Sequence, residues 1–349
     1  MDSKKIRVLV VDDSVVFREI IARGISAEPG IEVVATAKDP YEASEMIMKY
    51  EPDIMTCDVE MPKMNGIEFI RRLLPQYKIP IIVVSSINGA VFDAIHAGAV
   101  DFVRKPDANS VKGVENFIYE MIDKIKIASK SKVICKAVES ASKEASVTRV
   151  DRSGLKRDYN SKQIIAIGAS TGGTEAIYSI LKTMPKNIPG IVIVQHIPPG
   201  FSRMFAERMN ASTSLEVKEA ASGDYVKPGR VLIAPGDRHM KIRKIGDQYK
   251  VECFEGVRVN GHCPSVDILF ESVAKEAGSN AIGVILTGMG YDGAKGLLAM
   301  KRKGAKTIGQ NEKSSVVYGM PKVAYNLGAV DKQCSLEHIT PMILKMLSI

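Results

Sequence analysis

The chain has 349 residues, which is enough for two domains that each bury a core, because about 150 residues is a common domain size. Hydrophobic residues make up 45% of the chain and charged residues 25%, a balance that excludes a fibrous or wholly disordered protein. No apolar run reaches the roughly 18 residues that a membrane-spanning helix needs. The N-terminal strand leads into two aspartates instead of a signal-peptide cleavage site, and the five cysteines are scattered without a CxxC pair. We therefore expect a cytoplasmic protein without membrane insertion.

The net charge of +8 is unevenly distributed along the chain. Residues 1–128 carry a net charge of −4, whereas residues 163–349 carry +7. An acidic first part and a basic last part favour attraction between the two, and no basic recognition helix stands out. The distribution argues against a nucleic-acid partner.

The first part of the chain alternates short, β-branched strands with helical patterns. The predicted strands are IRVLVVDD, IEVVATA, DIMTCD, IPIIVVSS and DFVRKP. Strands with little polar alternation belong to parallel sheets that helices cover on both faces. We therefore predict a doubly wound, five-stranded parallel α/β domain over residues 1–127.

A stretch rich in Ser and Lys follows, and it predicts a linker over residues 128–162. A second α/β series then starts, with strands at 163–170, 190–196, 230–236 and 281–290. The alternating pattern around Gly246 and Asp247 is typical of a β-hairpin. Residues 163–349 are thus predicted to form a doubly wound, mostly parallel α/β domain with a small β-hairpin.

Several polar side chains follow strands of the first domain. Asp12, Asp13 and Asp58 come at strand ends, and Ser85 and Lys105 close the last two strands. The carboxyl ends of parallel strands meet at one edge of the sheet, so these groups should share a pocket. Clustered carboxylates are typical of a Mg²⁺ site, and a Lys beside one of them suits phosphoryl transfer. For any single Asp, a strand-end or capping role is the simpler alternative.

These motifs resemble the receiver domain of two-component response regulators over residues 1–127. The resemblance rests on DD at 12 and 13, DVEMP from Asp58, VSS at 84–86 and KP at 105 and 106. It implies a phosphorylated Asp58 and a histidine kinase as phosphodonor. The span from Ser85 to Lys105 is a residue or two short for the family, which puts the fourth helix in doubt. By the same resemblance, Mg²⁺ is held by Asp12, Asp13, Asp58 and the backbone carbonyl of Glu60, and the phosphoryl group is sensed by Ser85, Lys105 and Phe102.

The motif GASTGG at 168–173 joins a strand to a helix pattern in the second domain. Such a turn can bind the phosphates of a dinucleotide, but the next strand ends in Gln195 and His196 instead of the acid that binds a ribose. Alternatively, Ser170 is a nucleophile at the strand tip. The second reading is favoured.

A nucleophilic serine needs a base, and the base needs a carboxylate that orients it. His196 ends the neighbouring strand and is the best-placed base. Asp292 in TGMGYDG follows the last apolar strand and is the candidate acid, although it could simply cap the helix that begins near Gly293. The order Ser, His, Asp differs from that of α/β-hydrolases. Structural roles are expected for the remaining histidines of this domain, His239, His262 and His338.

The order of receiver, linker and this triad resembles the chemotaxis protein-glutamate methylesterase family over the entire chain. The resemblance implies a phosphorylation-activated serine hydrolase that demethylates glutamate methyl esters on chemoreceptors and deamidates specific glutamines. Ser170 would be the nucleophile, His196 the base and Asp292 the orienting acid, with the backbone N–H of Met289 as oxyanion donor. No cofactor is implied for the catalytic domain, and we expect a monomer.

Two alternatives remain open. A response regulator with a DNA-binding output domain would need a recognition helix, and a purely structural output module would leave Ser170 chemically inert. In the family, the docked receiver partly covers the edge that carries Ser170. We therefore expect autoinhibition that phosphorylation of Asp58 relieves.

Overall fold

The protein is described by a computed structural model that covers residues 4–86, 89–107, 109–131 and 162–347. Most of the predicted linker at 128–162 lies outside the described residues. The elements form two α/β units, each built on its own sheet, together with a small third sheet. Within the described ranges, no helix combines the length and the apolar composition needed to cross a bilayer.

The first unit contains a five-stranded parallel sheet in the order β2-β1-β3-β4-β5. Its central strands are buried because Val and Ile face helices on both sides. The prediction of a doubly wound domain is confirmed, and the doubtful fourth helix is present with seven residues. The strands are β1 (Ile6–Val11), β2 (Ile31–Ala37), β3 (Ile54–Asp58), β4 (Ile81–Ser85) and β5 (Asp101–Arg104), and the helices are α1 (Val15–Ser26), α2 (Pro40–Tyr50), α3 (Gly66–Leu73), α4 (Ala90–His96) and α5 (Val111–Ala128).

The second unit contains a seven-stranded sheet in the order β15-β14-β13-β6-β7-β10-β8, in which all the paired strands are parallel. Its strands are β6 (Ile164–Ala169), β7 (Gly190–Gln195), β8 (Glu216–Glu219), β10 (Arg230–Ile233), β13 (Ala281–Ile285), β14 (Lys306–Gln310) and β15 (Lys332–Cys334). Its helices are α6 (Gly173–Thr183), α7 (Phe201–Ser212), α8 (Val266–Glu276), α9 (Ala294–Arg302), α10 (Met320–Asn326) and α11 (Leu336–Leu347). Strands β6, β7 and β13 lie side by side, so their carboxyl ends share one edge.

The predicted hairpin is also present. Strands β11 (His239–Ile245) and β12 (Gln248–Phe254) pair in antiparallel register, and the short β9 (Tyr225–Val226) extends them to a three-stranded sheet. Gly246 has a positive φ of 59°, which suits the tight turn between the two long strands.

The two α/β units pack against each other through aromatic side chains. Phe102 on β5 lies 4.7 Å from Phe201 on α7, measured between ring centroids. Phe92 on α4 stacks on Phe205 at 5.6 Å. Helix α4 also contacts α6, whose first residue, Gly173, is three residues after Ser170, so the first unit lies close to the predicted nucleophile.

Candidate active site and acidic pocket

The acidic residues of the first unit share a pocket with a lysine, as the sequence predicts. Nζ of Lys105 lies 2.6 Å from Oδ2 of Asp58 and 2.7 Å from Oδ2 of Asp12. Asp13 is exposed at the pocket rim, and one carboxylate oxygen from each of the three aspartates lies within 4.8 Å of the others. Lys105 is thus paired with two of the three clustered carboxylates.

The carboxylates of this pocket outnumber its single lysine among the described residues, so a further cation would be favoured there. Burial raises the pKa of Asp12 and of Asp58, even though hydrogen bonds from Lys105 lower both. Burial alone would lower the pKa of Lys105, but its two carboxylate partners outweigh burial, so the pKa lies above its usual value. The aspartates present only oxygen donors, which is the ligand set that Mg²⁺ prefers. The residues present therefore fit that ion.

The sequence also assigns Glu60, Ser85 and Phe102 to this pocket. The Glu60 backbone N–H donates a 3.1 Å hydrogen bond to Oδ1 of Asp58. Ser85 is buried at the end of β4, and its carbonyl accepts the Lys105 N–H at 3.0 Å. Phe102, in contrast, lies at the junction with the second unit, where the ring packs on Phe201.

The predicted nucleophile and base lie on adjacent strand ends in the second unit. Ala169 at the end of β6 is paired with Gln195 at the end of β7, and the His196 N–H donates to the Ala169 carbonyl at 3.1 Å. The Ser170 N–H donates to the Thr287 carbonyl at 3.0 Å, which ties the strand tip to the segment after β13. The sheet therefore gathers the three predicted positions at one edge.

His196 is bound to the predicted acid. Its Nε2 lies 2.9 Å from Oδ2 of Asp292, and since an ionised carboxylate only accepts hydrogen bonds, this nitrogen carries the proton. Nδ1 is left as the basic nitrogen, and it is buried without a hydrogen-bond partner among the described residues. The described part of the chain contains no hydrogen bond between Ser170 and His196. In many hydrolases this contact tightens only when substrate is bound.

Asp292 is buried, with 1% of its surface exposed, and it is held by an unusually complete set of donors. Burial would raise its pKa, but the hydrogen bond from His196 and the other donors bring the pKa below its usual range. The donors other than His196 are Asn260 Nδ2 at 2.8 Å, Ser265 Oγ at 2.8 Å, and the backbone N–H groups of Val266 at 2.7 Å and Asp267 at 3.3 Å.

The simpler alternative for Asp292, a cap on the following helix, is not what the structure contains. Helix α9 starts at Ala294 without a side-chain cap. Asp292 instead accepts from the first N–H groups of α8, where the helix dipole stabilises a negative charge. Asp267 of α8 in turn accepts from the Gly296 N–H of α9 at 2.7 Å. These hydrogen bonds hold the N-termini of α8 and α9 together and fix the position of the Asp292 carboxylate.

The segment after β13 lies directly against the predicted nucleophile. A Cβ atom on Gly288 would lie 2.6 Å from Cβ of Ser170, so only glycine permits this approach. The next backbone N–H, that of Met289, has no hydrogen-bond partner among the described residues. The segment is held by the Thr287 N–H, which donates to Oε1 of Gln310 at 2.8 Å. An unpaired N–H on a fixed segment beside the serine can stabilise an oxyanion.

The remaining histidines differ in their surroundings. His239 is buried and fully hydrogen bonded, since Nδ1 accepts from the Ser265 N–H at 3.2 Å and Nε2 donates to the Val257 carbonyl at 2.9 Å. His338 lies on α11 beside Ser335 at an exposed position. His262, in contrast, stacks on His196 with 3.6 Å between ring centroids.

Sequence reasoning missed the groups that hold Asp292. Asn260 precedes Gly261, a pair that signals a tight turn, and Ser265 lies in HCPSVD, so a signal for this loop was present. Gln310 carries no signal, because its contact with Thr287 depends on the pairing of β13 with β14.

Comparison with known proteins assigns both units to families. Residues 165–343 match the family model described as CheB methylesterase, and residues 8–112 match that of the response regulator receiver domain. A protein from Syntrophomonas wolfei named protein-glutamate methylesterase/protein-glutamine glutaminase 2 is 54% identical over 348 residues, which cover 100% of this chain and 99% of that protein. A protein from Escherichia coli named protein-glutamate methylesterase/protein-glutamine glutaminase is 44% identical, over 99% of this chain and 97% of its own length.

Solved structures give the same result for the second unit. The crystal structure of the Thermotoga maritima CheB methylesterase catalytic domain superposes with a TM-score of 0.52 at 38% identity. The match covers 53% of this chain and 98% of that domain.

Proposed function

Because the chain belongs to the CheB methylesterase family and carries a response regulator receiver domain, we propose that it hydrolyses glutamate methyl esters of chemoreceptors with Ser170, His196 and Asp292 as its catalytic residues. The observation that carries this assignment is the His196–Asp292 pair, which lies on the same sheet edge as Ser170. A dinucleotide site needs no such pair. Neither does a DNA-binding output domain.

The geometry supports acyl transfer in two steps. Oγ of Ser170 attacks the ester carbonyl carbon, and its proton passes to Nδ1 of His196, the nitrogen that Asp292 leaves available. The Met289 N–H receives the negative charge that develops on the carbonyl oxygen. The C–O bond to the methoxy group then breaks, and methanol leaves with the proton from His196.

Water completes the reaction by the same route in reverse. His196 takes a proton from water, the hydroxide attacks the acyl-serine ester, and the proton returns to Ser170 as glutamate leaves. Glutamine amide hydrolysis follows the same path with ammonia as the leaving group, in line with the glutaminase activity in the names of the relatives. Asp292 stabilises the imidazolium that forms in each step, since its buried carboxylate stays ionised.

In the first unit, we propose Asp58 as the residue that a histidine kinase phosphorylates. Lys105 is bound to this carboxylate and would pair with the phosphoryl group, and Ser85 would sense it. Mg²⁺ would be held by Asp12, Asp13, Asp58 and the backbone carbonyl of Glu60. When bound, the ion neutralises charge on the transferred oxygens. Phe102 would relay the change, because its ring lies at the contact with α7.

We further propose that the unphosphorylated receiver inhibits the enzyme, and the position of that contact supports this. Oγ1 of Thr171, the residue after the nucleophile, donates to Oδ2 of Asp101 on the receiver at 2.9 Å. Arg208 on α7 is paired with Asp93 on α4 at 2.6 Å. A receiver fixed at these positions stands beside Ser170, where a receptor helix has to approach. Phosphorylation would weaken the contact and open the site.

We also propose the extent of each domain and the cellular setting of the protein. We take residues 1–127 as the receiver domain, 128–162 as the linker and 163–349 as the catalytic domain. We propose a cytoplasmic monomer whose partners are a kinase and receptors, without nucleic acid and without a cofactor in the catalytic domain.

The proposed function is tested by methanol release from membranes that carry methylated receptor. The parent chain, activated with Mg²⁺ and acetyl phosphate, should release methanol, and Ser170→Ala should release almost none. Near-normal release from Ser170→Ala would place the nucleophile elsewhere.

A further inference from the structure

The imidazole of His196 is covered on one face by a second imidazole. The rings of His196 and His262 are 3.6 Å apart between centroids and only 10° from parallel. The His262 side chain makes no hydrogen bond to any described residue, so what it offers to its neighbour is its flat face. This residue is outside the proposed triad, and its place against the base needs a reason.

A tight turn fixes the position of His262. Val259 and His262 exchange two backbone hydrogen bonds of 2.9 Å, and between them Asn260 and Gly261 have φ values of 54° and 84°. Two successive left-handed residues define a type I′ turn, for which Asn-Gly is the preferred pair. The ring of His262 is therefore attached to a rigid two-residue turn.

The same turn is anchored to the acid of the triad. Nδ2 of Asn260 donates to Oδ1 of Asp292 and to Oδ2 of Asp267, both at 2.8 Å. Asp292 thus binds His196 through one oxygen and the turn through the other. The base and the ring stacked on it are held by one buried carboxylate.

The charge of the stacked ring suits this arrangement. Burial, with a smaller effect from His196, lowers the pKa of His262 to about 4, against the attraction of Asp292. Arg258 is the other charged group that acts on this ring, and it lowers the same pKa. His262 is therefore neutral at pH 7, and it presents a π face to the imidazolium that His196 becomes during acyl transfer.

From this geometry we propose that His262 is a positioning residue for the base: its ring, fixed by the Asn260–Gly261 turn, holds the plane of the His196 imidazole, so that Nδ1, which Asp292 leaves available, stays in place to take the Ser170 proton. The inference rests on the proposed function. It adds a residue that does not touch the substrate. The proposed role requires a flat ring at position 262 but does not require a ring nitrogen.

Two substitutions of similar bulk separate these requirements. His262→Phe keeps a flat neutral ring, and His262→Leu keeps apolar volume without the ring. With full-length protein activated by acetyl phosphate and Mg²⁺, we expect His262→Phe to keep kcat within about threefold, whereas His262→Leu lowers kcat by about 10- to 100-fold, the usual cost of a base that is misplaced by about 1 Å. KM for methylated receptor membranes should change less than about twofold in both, because uniform substrate binding is untouched. Thermal unfolding and labelling of Asp58 should match the parent.

A third variant tests the anchor and does not depend on the folding of His262→Leu. Asn260→Gly keeps the left-handed turn but removes the link to Asp292, and it should lower kcat in the same way without raising KM. The positioning role would be overturned if His262→Leu kept the kcat of the parent, or if Asn260→Gly did. It would also be overturned if His262→Phe were as slow as His262→Leu, because a ring nitrogen would then be required. Activity in a parallel Ser170→Ala sample would instead overturn the proposed function itself.

Discussion

The hydroxyl of Thr171 donates a 2.9 Å hydrogen bond to the Asp101 carboxylate, which joins the receiver to the residue after the proposed nucleophile. Asp101 is itself paired with Lys124 of α5 at 3.0 Å, and Nζ of Lys124 lies 5.0 Å from the centre of the Phe102 ring. Thr171 is buried and Asp101 is half-buried, so this bond is partly shielded from water. It links the catalytic edge to the α5 and β5 face of the receiver.

Loss of this hydrogen bond should raise the activity of the unphosphorylated protein. Asp101→Ala changes only the receiver, and we expect its basal methanol release to exceed that of the parent by about fivefold or more, since a hydrogen bond to a charged group contributes about 1.5 to 3 kcal/mol. Asp93→Ala is the matched control, because its exposed pair with Arg208 should change the basal rate at most about twofold. Equal rates for the two variants would remove Thr171 and Asp101 from the inhibitory contact.

Substitutions of the three proposed triad residues should lower kcat by different amounts. Ser170→Ala and His196→Gln should each lower kcat by about four orders of magnitude or more, while Asp292→Asn lowers it less, because the triad acts as a unit and oxyanion stabilisation persists. The measurement is single-turnover methanol release from phosphorylated full-length protein. A double variant Ser170→Ala, His196→Gln that is much slower than either single variant would contradict joint action.

Asp292→Asn should also destabilise the fold, which the other two should not. Its carboxylate accepts from five donors, and an amide would turn its NH₂ group toward one of them, such as the Val266 N–H, at a cost of about 2 kcal/mol or more. The pKa of Asp292 is lower in the folded state than in the unfolded chain, so its contribution is complete above the unfolded value near pH 4 and is lost as pH falls further. The difference in unfolding free energy between parent and Asp292→Asn, measured with urea, should be full at pH 7 and should shrink progressively as the pH falls below about 4. A constant difference between them would show that the carboxylate is not the cause.

The sequence predicts most residues of this site, and the contacts that it does not predict depend on packing between distant parts of the chain. Asp58, Lys105, Ser170 and His196 follow buried apolar strands, and a parallel sheet brings such positions to one edge whatever the loops do. Asn260 reaches Asp292 only because the loop after β12 folds back over α8, a contact across 32 residues that no local pattern encodes. The packing of Phe102 on Phe201 likewise depends on how two domains meet, and each residue taken alone is simply apolar.

The acidic pocket should respond to Mg²⁺ in a thermal unfolding experiment. Burial raises the pKa of Asp12 in the folded state, so its negative charge destabilises the receiver once the pH exceeds that value. In metal-free buffer at pH 7, Asp12→Asn should therefore have a higher Tm than the parent. Added Mg²⁺ should raise the Tm of the parent and leave that of Asp12→Asn nearly unchanged.

Glu45→Gln is the matched control, since Glu45 is an exposed acid on α2 of the same domain, outside the pocket. It should respond to Mg²⁺ as the parent does. A metal-free Tm of Asp12→Asn below that of the parent would contradict a destabilising charge in the pocket, and a full Mg²⁺ response in Asp12→Asn would place the ion elsewhere.

Phosphoryl uptake should depend on Asp58 and on the same ion. We expect the parent to become labelled from a phosphorylated histidine kinase only when Mg²⁺ is present, because the ion and Lys105 would together neutralise the charge on the transferred oxygens. Asp58→Asn should remain unlabelled, while Asp53→Asn in the same domain should be labelled like the parent. Stoichiometric label on Asp58→Asn would place the acceptor at another residue.

If the proposed inhibition by the docked receiver holds, removal of the receiver should raise the esterase activity. The receiver carries a net charge of −4 and residues 163–349 carry +7, and a linker of this length keeps their effective concentration near a millimolar, so even a weak contact is populated. A shorter chain that starts at Lys162 should thus hydrolyse receptor esters faster than the unphosphorylated full chain, because nothing then stands beside Thr171. Acetyl phosphate with Mg²⁺ should accelerate the full chain only, and Asp58→Asn should not respond. If the shortened and the unphosphorylated full-length proteins had equal kcat/KM on receptor membranes, the contact between Asp101 and Thr171 would have no inhibitory role, and the receiver would act in targeting alone.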